Sequence, residues 1–234
     1  MSDSACRAEI ESYRNQVLQG KISCELPPCP FCGALPDGFR RHEARRRIFY
    51  VIGGQWVEIV WCRITRWKCS HCGKIRTQHP PFALPYKRYT RQILMGFSQA
   101  YLEDEASSYR KAVPESSSGQ ALEDGLPIGF ASKPGEEEID ERQLAHSTLY
   151  RWVTTLGGFK EVLRSALDLI LQKNPASAIC RGLVSLKVAP SKYVKAAREG
   201  VLRRCRQLLH LEGNYRHTFG TSIFPYLATR CAWR

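Results

Sequence analysis

Two short cysteine motifs constrain this chain more than any other feature of its sequence. Cys29 and Cys32 are followed directly by a glycine, and the same Cys-x-x-Cys-Gly pattern returns at Cys69 and Cys72. In such a motif a tight turn directs both sulfurs to one point, and the trailing glycine can take the positive φ that closes the turn. Two copies supply four sulfurs, the ligand number of a tetrahedral structural zinc site. The sequence therefore predicts that these four cysteines hold a Zn²⁺ ion.

Two other uses of these cysteines fit the sequence less well. A pair of disulfides would suit a secreted domain, but the first 20 residues are polar and lack the apolar stretch of a signal peptide. A catalytic zinc needs an open coordination position, and four thiolates leave none. We therefore expect a structural ion in a protein of the reducing cytoplasm, with the other six of the ten cysteines as free thiols.

The sequence between the two motifs favours β-structure. Segments 47–52 and 56–67 are rich in β-branched and aromatic residues, and Gly53 and Gly54 separate them as a hairpin turn would. We therefore interpret residues 26–88 as a zinc ribbon, two knuckles joined by a β-hairpin, after a short polar helix or loose tail at 1–25. The tryptophans of this stretch fit a thin core better than a contact with nucleic acid: Trp56, Trp61 and Trp67.

The same hairpin is strongly basic. The whole chain has 35 Lys and Arg against 22 Asp and Glu, a net charge of +13 that favours a polyanionic partner. Between residues 40 and 76 there are ten basic side chains against two acidic ones. Phosphate contacts are the expected use of such a face. The candidate DNA contacts on it are Arg45, Arg46, Arg47, Arg66 and Lys68.

Beyond residue 89 the apolar side chains recur at helical spacing. The pattern predicts a helix over 89–105 with Thr90 as its N-cap, and a second short helix over 107–113. Residues 114–146 are rich in Ser, Gly, Pro and acidic side chains, which predicts an acidic loop inserted in this region. Together, 89–158 is interpreted as a helix-turn-helix-like domain.

A third helix is predicted over 147–156, with Ser147 as its cap. One face of it is apolar, formed by Leu149, Trp152, Val153 and Leu156. A recognition helix has this character, because its apolar stripe holds it on a scaffold while its other face reaches base edges. The candidate DNA contacts on the other face are Ser147, Thr148, Tyr150 and Arg151.

Residues 159–234 form a basic, mostly helical region. Apolar periodicity predicts helices over 159–172 and 192–211, and the apolar stretch 221–233 is expected to pack back on them. The expected fold class is α+β, a small zinc-ribbon β-hairpin module followed by a mostly helical, helix-turn-helix-like region.

The order of these parts has a counterpart in a known group of proteins. The two knuckles, the basic hairpin, a Leu-Pro-Tyr-x-x-Tyr segment from Leu84, a Ser-Tyr-Arg sequence at Ser108 and a Ser-Thr-x-x-Arg-Trp helix from Ser147 follow one another over residues 26–156. This resembles small bacterial zinc-ribbon/helix-turn-helix proteins associated with transposons, and the DNA-binding front end of insertion-sequence transposases. The chain departs from them by the insertion at 114–146.

The resemblance implies zinc on the four knuckle cysteines and a helix-turn-helix formed by 107–113 and 147–156. It also implies double-stranded DNA as the ligand, a recombinase or transposase as a protein partner, and a bacterial cytoplasmic location. In sum, the chain is expected to be a DNA-binding protein associated with a transposon or derived from a transposase.

We expect the protein to be non-catalytic. Transposases of this kind carry a metal-binding acidic triad, but no spacing of the acidic residues after Gly157 fits two-metal chemistry. Those residues are Glu161, Asp168, Glu199 and Glu212. No small-molecule substrate is expected, and no membrane partner, since no apolar run approaches the ~18 residues of a spanning helix. Two alternatives stay open: an RNA-binding zinc-ribbon protein, and a protein-interaction adaptor for a recombinase.

Overall fold

A computed structural model describes residues 3–53, 56–113, 146–220 and 222–224. It confirms the α+β class, with a three-stranded antiparallel sheet in the N-terminal part and helices before and after it. The chain divides into two compact units, residues 1–92 with 224–234, and residues 93–223. The domain boundaries inferred from the sequence stay a prediction.

The first unit is organised around a long β-hairpin. Strand β1 (Phe39–Gly53) pairs antiparallel with β2 (Trp56–Cys69), and β2 pairs with the short β3 (Ile75–Thr77), giving the order β1-β2-β3. The predicted first strand was too short, because it began at residue 47. The residues before it are charged, and a bulge between Arg41 and Glu43 breaks the period-two pattern that marks a strand.

One face of the hairpin is covered by the N-terminal helix α1 (Asp3–Leu18). Residues 1–25 therefore contain a packed helix and not a loose tail. Ile10 and Phe49 are fully buried in this core. The core also contains Cys6, Val51, Val60, Cys62, Ile64, Phe82 and Ala83. The T-shaped contact of Phe49 and Phe82, with ring centroids 5.1 Å apart, fixes the segment after β3 against the sheet.

A second, smaller core lies where the hairpin meets the cysteine turns. Its buried members are Leu26, Cys29, Phe39, Trp67 and Cys69. Trp67 is 7% exposed, which confirms the expected core role for this tryptophan. Trp61 is half-buried, and the guanidinium carbon of Arg46 lies 3.3 Å from its ring centroid. We call the two cysteine turns and the three strands, residues 29–77, the ribbon.

The second unit is helical. Helix α2 (Arg91–Glu103) leads into it, and α3 (His146–Gly158), α4 (Lys160–Lys173) and α5 (Ala178–Val184) each pack against the long α6 (Ala196–Phe219). The helices predicted near 89–105, 147–156 and 159–172 are confirmed. The helix predicted over 192–211 begins later and ends later than expected, after a 3₁₀ turn at Pro190–Lys192. Helix α5 was not predicted.

Three local predictions for residues 89–158 were wrong. Ser147 lies inside α3, which begins at His146, so it is not the N-cap of that helix. Residues 107–113 form turns and not a helix, with a single helix-like hydrogen bond from the Ala112 N–H to the Ser108 carbonyl. Thr90 directly precedes α2, but its buried hydroxyl has no hydrogen-bond partner, so it does not cap the helix by its side chain. The acidic loop predicted at 114–146 lies outside the described residues except for His146, and the predicted tail 221–233 lies outside them except for residues 222–224.

Helices α3 and α6 cross at very close range. A Cβ added at Gly157 would lie 2.2 Å from the carbonyl oxygen of Val201, a distance at which no side chain can fit. The Gly157 carbonyl accepts a hydrogen bond of 2.8 Å from Arg204 Nε of α6. Gly157 is therefore the residue that allows α3 to lie directly on α6.

We predict that Gly157→Ala destabilises the protein by about 1–3 kcal/mol, because the added methyl group must push the α6 backbone away. Gly158→Ala is the matched control, since nothing lies within 4 Å of its added Cβ. In that open site alanine should be neutral or slightly stabilising, because it favours the helix over glycine. Denaturant unfolding followed by circular dichroism measures both, and equal stability of the two variants would contradict the close-approach argument.

Candidate metal centre and basic surfaces

The two cysteine motifs fold into equivalent turns at one end of the hairpin. In each turn the glycine N–H donates to the carbonyl of the first cysteine, Gly33 to Cys29 at 2.8 Å and Gly73 to Cys69 at 2.9 Å. The glycines have φ of +74° and +71°, the left-handed values that the sequence predicted for them. One motif precedes β1 and the other joins β2 to β3, so the pairing of the strands brings the turns together.

The four sulfurs form a compact cluster. Cys29 Sγ lies 3.6 Å from Cys72 Sγ, and Cys32 Sγ lies 3.6 Å from Cys69 Sγ. All four sulfurs lie within 4.8 Å of one another. A tetrahedral ion with metal–sulfur bonds of about 2.3 Å places its ligands about 3.8 Å apart. The sulfur positions therefore fit a single four-coordinate metal ion.

The electrostatics of the cluster also favour a cation. The Cys72 N–H donates to Cys69 Sγ, with a further hydrogen bond from the His71 N–H, and these bonds lower the pKa of Cys69 to about 6. At Cys32 a hydrogen bond from the Ala34 N–H also lowers the pKa of the thiol. Desolvation and the neighbouring sulfurs have the larger combined effect and raise the pKa of Cys32 to about 12. Four sulfurs this close cannot all become thiolates unless a positive charge lies between them. A metal ion would supply that charge.

Four cysteines outside the cluster are free thiols: Cys24, Cys62, Cys180 and Cys205. Burial raises the pKa of the Cys62 thiol to about 11 and that of Cys205 to about 12. These thiols therefore behave as small apolar core residues and not as nucleophiles.

The arginine run on β1 serves more than one purpose. Arg47 is half-buried and donates to the Lys87 carbonyl at 2.7 Å and to the Leu84 carbonyl at 3.4 Å. Burial lowers its pKa, and the nearby Arg88 adds to this. Its guanidinium therefore anchors the 84–87 segment to the sheet, and its predicted contact with DNA stays a prediction.

The other predicted contacts of the hairpin lie on its surface. Arg45 and Lys68 are exposed, and Arg46 is exposed beside Trp61. Arg66, half-buried, and Arg45 both donate to the same oxygen of Glu43. The hydrogen bond from Arg66, with a further one from Arg45, lowers the pKa of the Glu43 carboxyl. One carboxylate thus holds two guanidinium groups and leaves an excess of positive charge.

Helix α3 presents the residues predicted on its outer face. Ser147, Tyr150 and Arg151 are exposed and Thr148 is half-buried. The opposite face is buried, with Leu149, Trp152, Val153 and Leu156 each no more than 2% exposed. The predicted apolar stripe is confirmed, and α6 covers it where the sequence analysis expected a helix over 107–113.

Sequence reasoning missed the cation that completes this surface. The guanidinium carbon of Arg198, on α6, lies 4.1 Å from the ring centroid of Tyr150. Arg198 also donates to Thr154 Oγ1 at 2.8 Å and to the hydroxyl of Tyr109. Since Arg198 lies 44 residues after Thr154 in the chain, no local pattern could have placed it beside α3.

Within the described ranges, no helix combines the length and the apolar character that a bilayer crossing requires.

Comparison with known proteins adds one match. Residues 29–114 are similar to a family described as a domain of unknown function (DUF6431). The matched stretch contains all four cysteines and the three strands, and it ends before α3. No curated protein and no solved structure matches the chain.

We predict one metal ion per chain, held by the four cysteines. Cys69→Ser should abolish stoichiometric metal and unfold the ribbon, because so small a module has too little core without its ion. Cys24→Ser is the matched control, since this cysteine packs near the cluster without belonging to it. Metal analysis by mass spectrometry measures both variants, and a full metal content in Cys69→Ser would contradict the assignment.

We also predict that Arg47 stabilises the fold. Arg47→Ala should lower the free energy of unfolding by about 1–3 kcal/mol, because two backbone carbonyls lose a charged donor. Arg45→Ala is the matched control. The Arg45 side chain is 66% exposed and its ion pair lies in solvent, so this substitution should change stability little. Denaturant unfolding of the metal-loaded protein tests the pair, and identical stability losses would refute the anchoring role.

Proposed function

We propose that this chain is a non-catalytic DNA-binding protein in which a zinc ion shapes the ribbon and α3 contacts double-stranded DNA. The exposed face of α3 carries the proposal. Tyr150 and Arg151 extend from a helix whose other face is fully buried, and Arg198 of α6 stacks on the Tyr150 ring. A rigid helix with an exposed cationic and hydrogen-bonding face has the properties of a DNA-reading element.

Zinc is proposed because of the ligand set. Four cysteine sulfurs do not suit Mg²⁺ or Ca²⁺, which prefer oxygen ligands. A tetrahedral set of four sulfurs is typical of zinc or iron, and zinc brings no redox chemistry to a site whose role is structural. In this proposal Cys29, Cys32, Cys69 and Cys72 hold the ion, which fixes the ribbon and takes no part in a reaction.

The roles on α3 follow from its geometry. Ser147 and Thr148 lie in the first turn of the helix, where backbone N–H groups and hydroxyls are suited to phosphate oxygens. Arg151 lies one turn further on, and a guanidinium pairs with the major-groove edge of guanine. Arg198 would hold the Tyr150 ring in place and add a phosphate contact of its own.

In this proposal the ribbon contributes positive charge but does not distinguish one base sequence from another. Arg45, Arg46 and Lys68 are exposed, and they are balanced locally only in part by Glu43. Such a surface neutralises phosphates and releases counterions, which gives affinity that falls with salt. We therefore propose that the ribbon strengthens binding to any nucleic acid, and that α3 provides sequence preference.

We propose that the protein is non-catalytic because of the ligands of its proposed metal ion. Among the described residues, the four-cysteine cluster is the one group of His, Cys, Asp and Glu side chains placed to hold a metal ion. Four sulfur ligands leave no coordination position for water or substrate. The proposed metal therefore cannot act as a Lewis acid while it is fully ligated.

The link to mobile elements is proposed on the resemblance of the motif order alone. It places the protein in a bacterial cytoplasm, with a transposase or recombinase as a partner. A role only as an adaptor has less support, because the apolar stripe of α4 is already buried inside the second unit. The buried residues of that stripe are Val162, Leu163, Ala166 and Ile170.

We predict that the metal-loaded protein enriches a sequence motif from a pool of random duplex DNA. Arg151→Ala should then weaken binding to the enriched site by about 1–3 kcal/mol and relax preference at one base pair, because a bidentate base contact is lost. Fluorescence anisotropy against the selected duplex and a scrambled one measures both effects.

Arg164→Ala is the matched control for that experiment. Its side chain is 73% exposed on α4 and pairs with Glu161, so its loss removes the same charge from another helix. Equal weakening by Arg151→Ala and Arg164→Ala would mean that only net charge matters. Failure to enrich any motif, with binding that still falls with salt, would remove the sequence-reading role of α3.

A further inference from the structure

The first unit contains a cleft, between the ribbon and the segment after it, that duplex binding does not account for. Its volume is about 610 Å³, within the range of ligand sites, and it lies between the first cysteine turn, the sheet and the segment after β3. Five arginines line it, and no acidic side chain does so among the residues described there. All of its lining residues belong to the first unit, whereas α3 belongs to the second.

The arginines at this cleft keep donors available. Arg45 and Arg66 share one oxygen of Glu43, and Arg76 donates weakly to the Pro27 carbonyl at 3.4 Å. A guanidinium has five N–H groups, so each of the three retains donors beyond these bonds. Converging guanidinium groups with spare donors are the typical binding surface for a phosphate.

Two aromatic rings lie at the same cleft and are unusually exposed. Phe31 is 67% exposed and Tyr86 is 85% exposed. Tyr86 is also the one non-glycine residue with a positive φ, +61°, among those that the structure describes. A bulky residue in this region is strained, and such strain persists where a site requires a particular side-chain position.

His79 adds a polar group at the cleft wall. Its Nδ1 is buried and has no hydrogen-bond partner, although the ring lines the cleft. Burial, with the nearby Arg47, lowers its pKa to about 4, so the imidazole is neutral at physiological pH. A neutral imidazole can exchange hydrogen bonds with the edge of a base.

We infer that this cleft binds an unpaired nucleotide of a single-stranded nucleic acid, with its phosphates on Arg45, Arg66 and Arg76 and its base against Phe31 or Tyr86. A free phosphate would leave both rings in water. A duplex hides the faces of its bases in the stack, so it cannot cover the rings either. A single strand offers phosphates and open base faces together, and stacking on aromatic side chains is how such strands are bound.

The inference goes beyond duplex recognition by α3, and either can fail without the other. The test uses the full metal-loaded chain and a fluorescent thymidine oligonucleotide of about 12 nucleotides, long enough for one binding site. The same sequence as RNA shows whether the 2′-hydroxyl matters. A mixed-sequence duplex of equal length and a polyglutamate competitor complete the set of ligands.

We predict that Tyr86→Asn weakens binding of the single strand roughly tenfold, because the ring is lost while asparagine still tolerates the positive φ. Phe31→Ala should have a similar effect. Tyr86→Phe keeps the ring and should bind as the unmodified protein does. Duplex affinity should stay unchanged in all three variants, as should the metal content.

Leu35→Ala is the matched control, because Leu35 is 61% exposed in the same turn region and does not line the cleft. It should bind the oligonucleotide as tightly as the unmodified protein. The inference is overturned if Tyr86→Asn binds the single strand normally, or if it loses duplex and single strand alike. Displacement of the oligonucleotide by polyglutamate at equal charge would instead identify the cleft as a site for acidic peptides.

Discussion

The clustering of four cysteine sulfurs at one point is the constraint on which the first unit depends. The small core beside it contains only a few apolar side chains, among them Leu26, Phe39 and Trp67. So small a core offsets little of the entropy of ordering the two cysteine turns, and the metal–sulfur bonds of the proposed ion would supply what this core lacks. The antiparallel pairing of β1 and β2 brings the two turns together. The proposed ion would in turn fix the register of the strands at that end, so the pairing and the ion would stabilise each other.

Charge alone did not distinguish arginines that reach solvent from arginines that hold the fold. Arg46 and Arg47 are neighbours in the sequence and alternate across the strand, so they lie on opposite faces of the sheet. Arg46 reaches solvent beside Trp61, whereas Arg47 donates to the carbonyls of a segment 40 residues later. The stretch from residue 40 to 76, with its ten basic residues, therefore presents fewer solvent-exposed positive side chains than its composition suggests. Only tertiary contacts separate the two groups.

The parts that the sequence predicted correctly depend on short-range chemistry. Cysteine spacing, glycines with positive φ and the apolar stripe of α3 all follow from residues within one or two turns of each other. The predictions that were wrong depend on contacts with residues that are distant in the chain. The turns at 107–113 have helical periodicity but too few residues to nucleate a helix alone. The scaffold of α3 is α6, and the contact needs Gly157 opposite Val201, which no local pattern could indicate.

The arrangement of Glu43 explains how a basic site can stay ordered before a ligand arrives. Arg45 and Arg66 lie on adjacent strands, and without an anion between them their charges would repel. The shared carboxylate keeps both guanidinium groups at one place on the sheet. Because Arg45 lies largely in solvent, its half of this pairing is weak, and in our proposal a phosphate with more acceptor oxygens displaces it. The proposed ligand would then bind cations that are already positioned, so less side-chain entropy would be lost on binding.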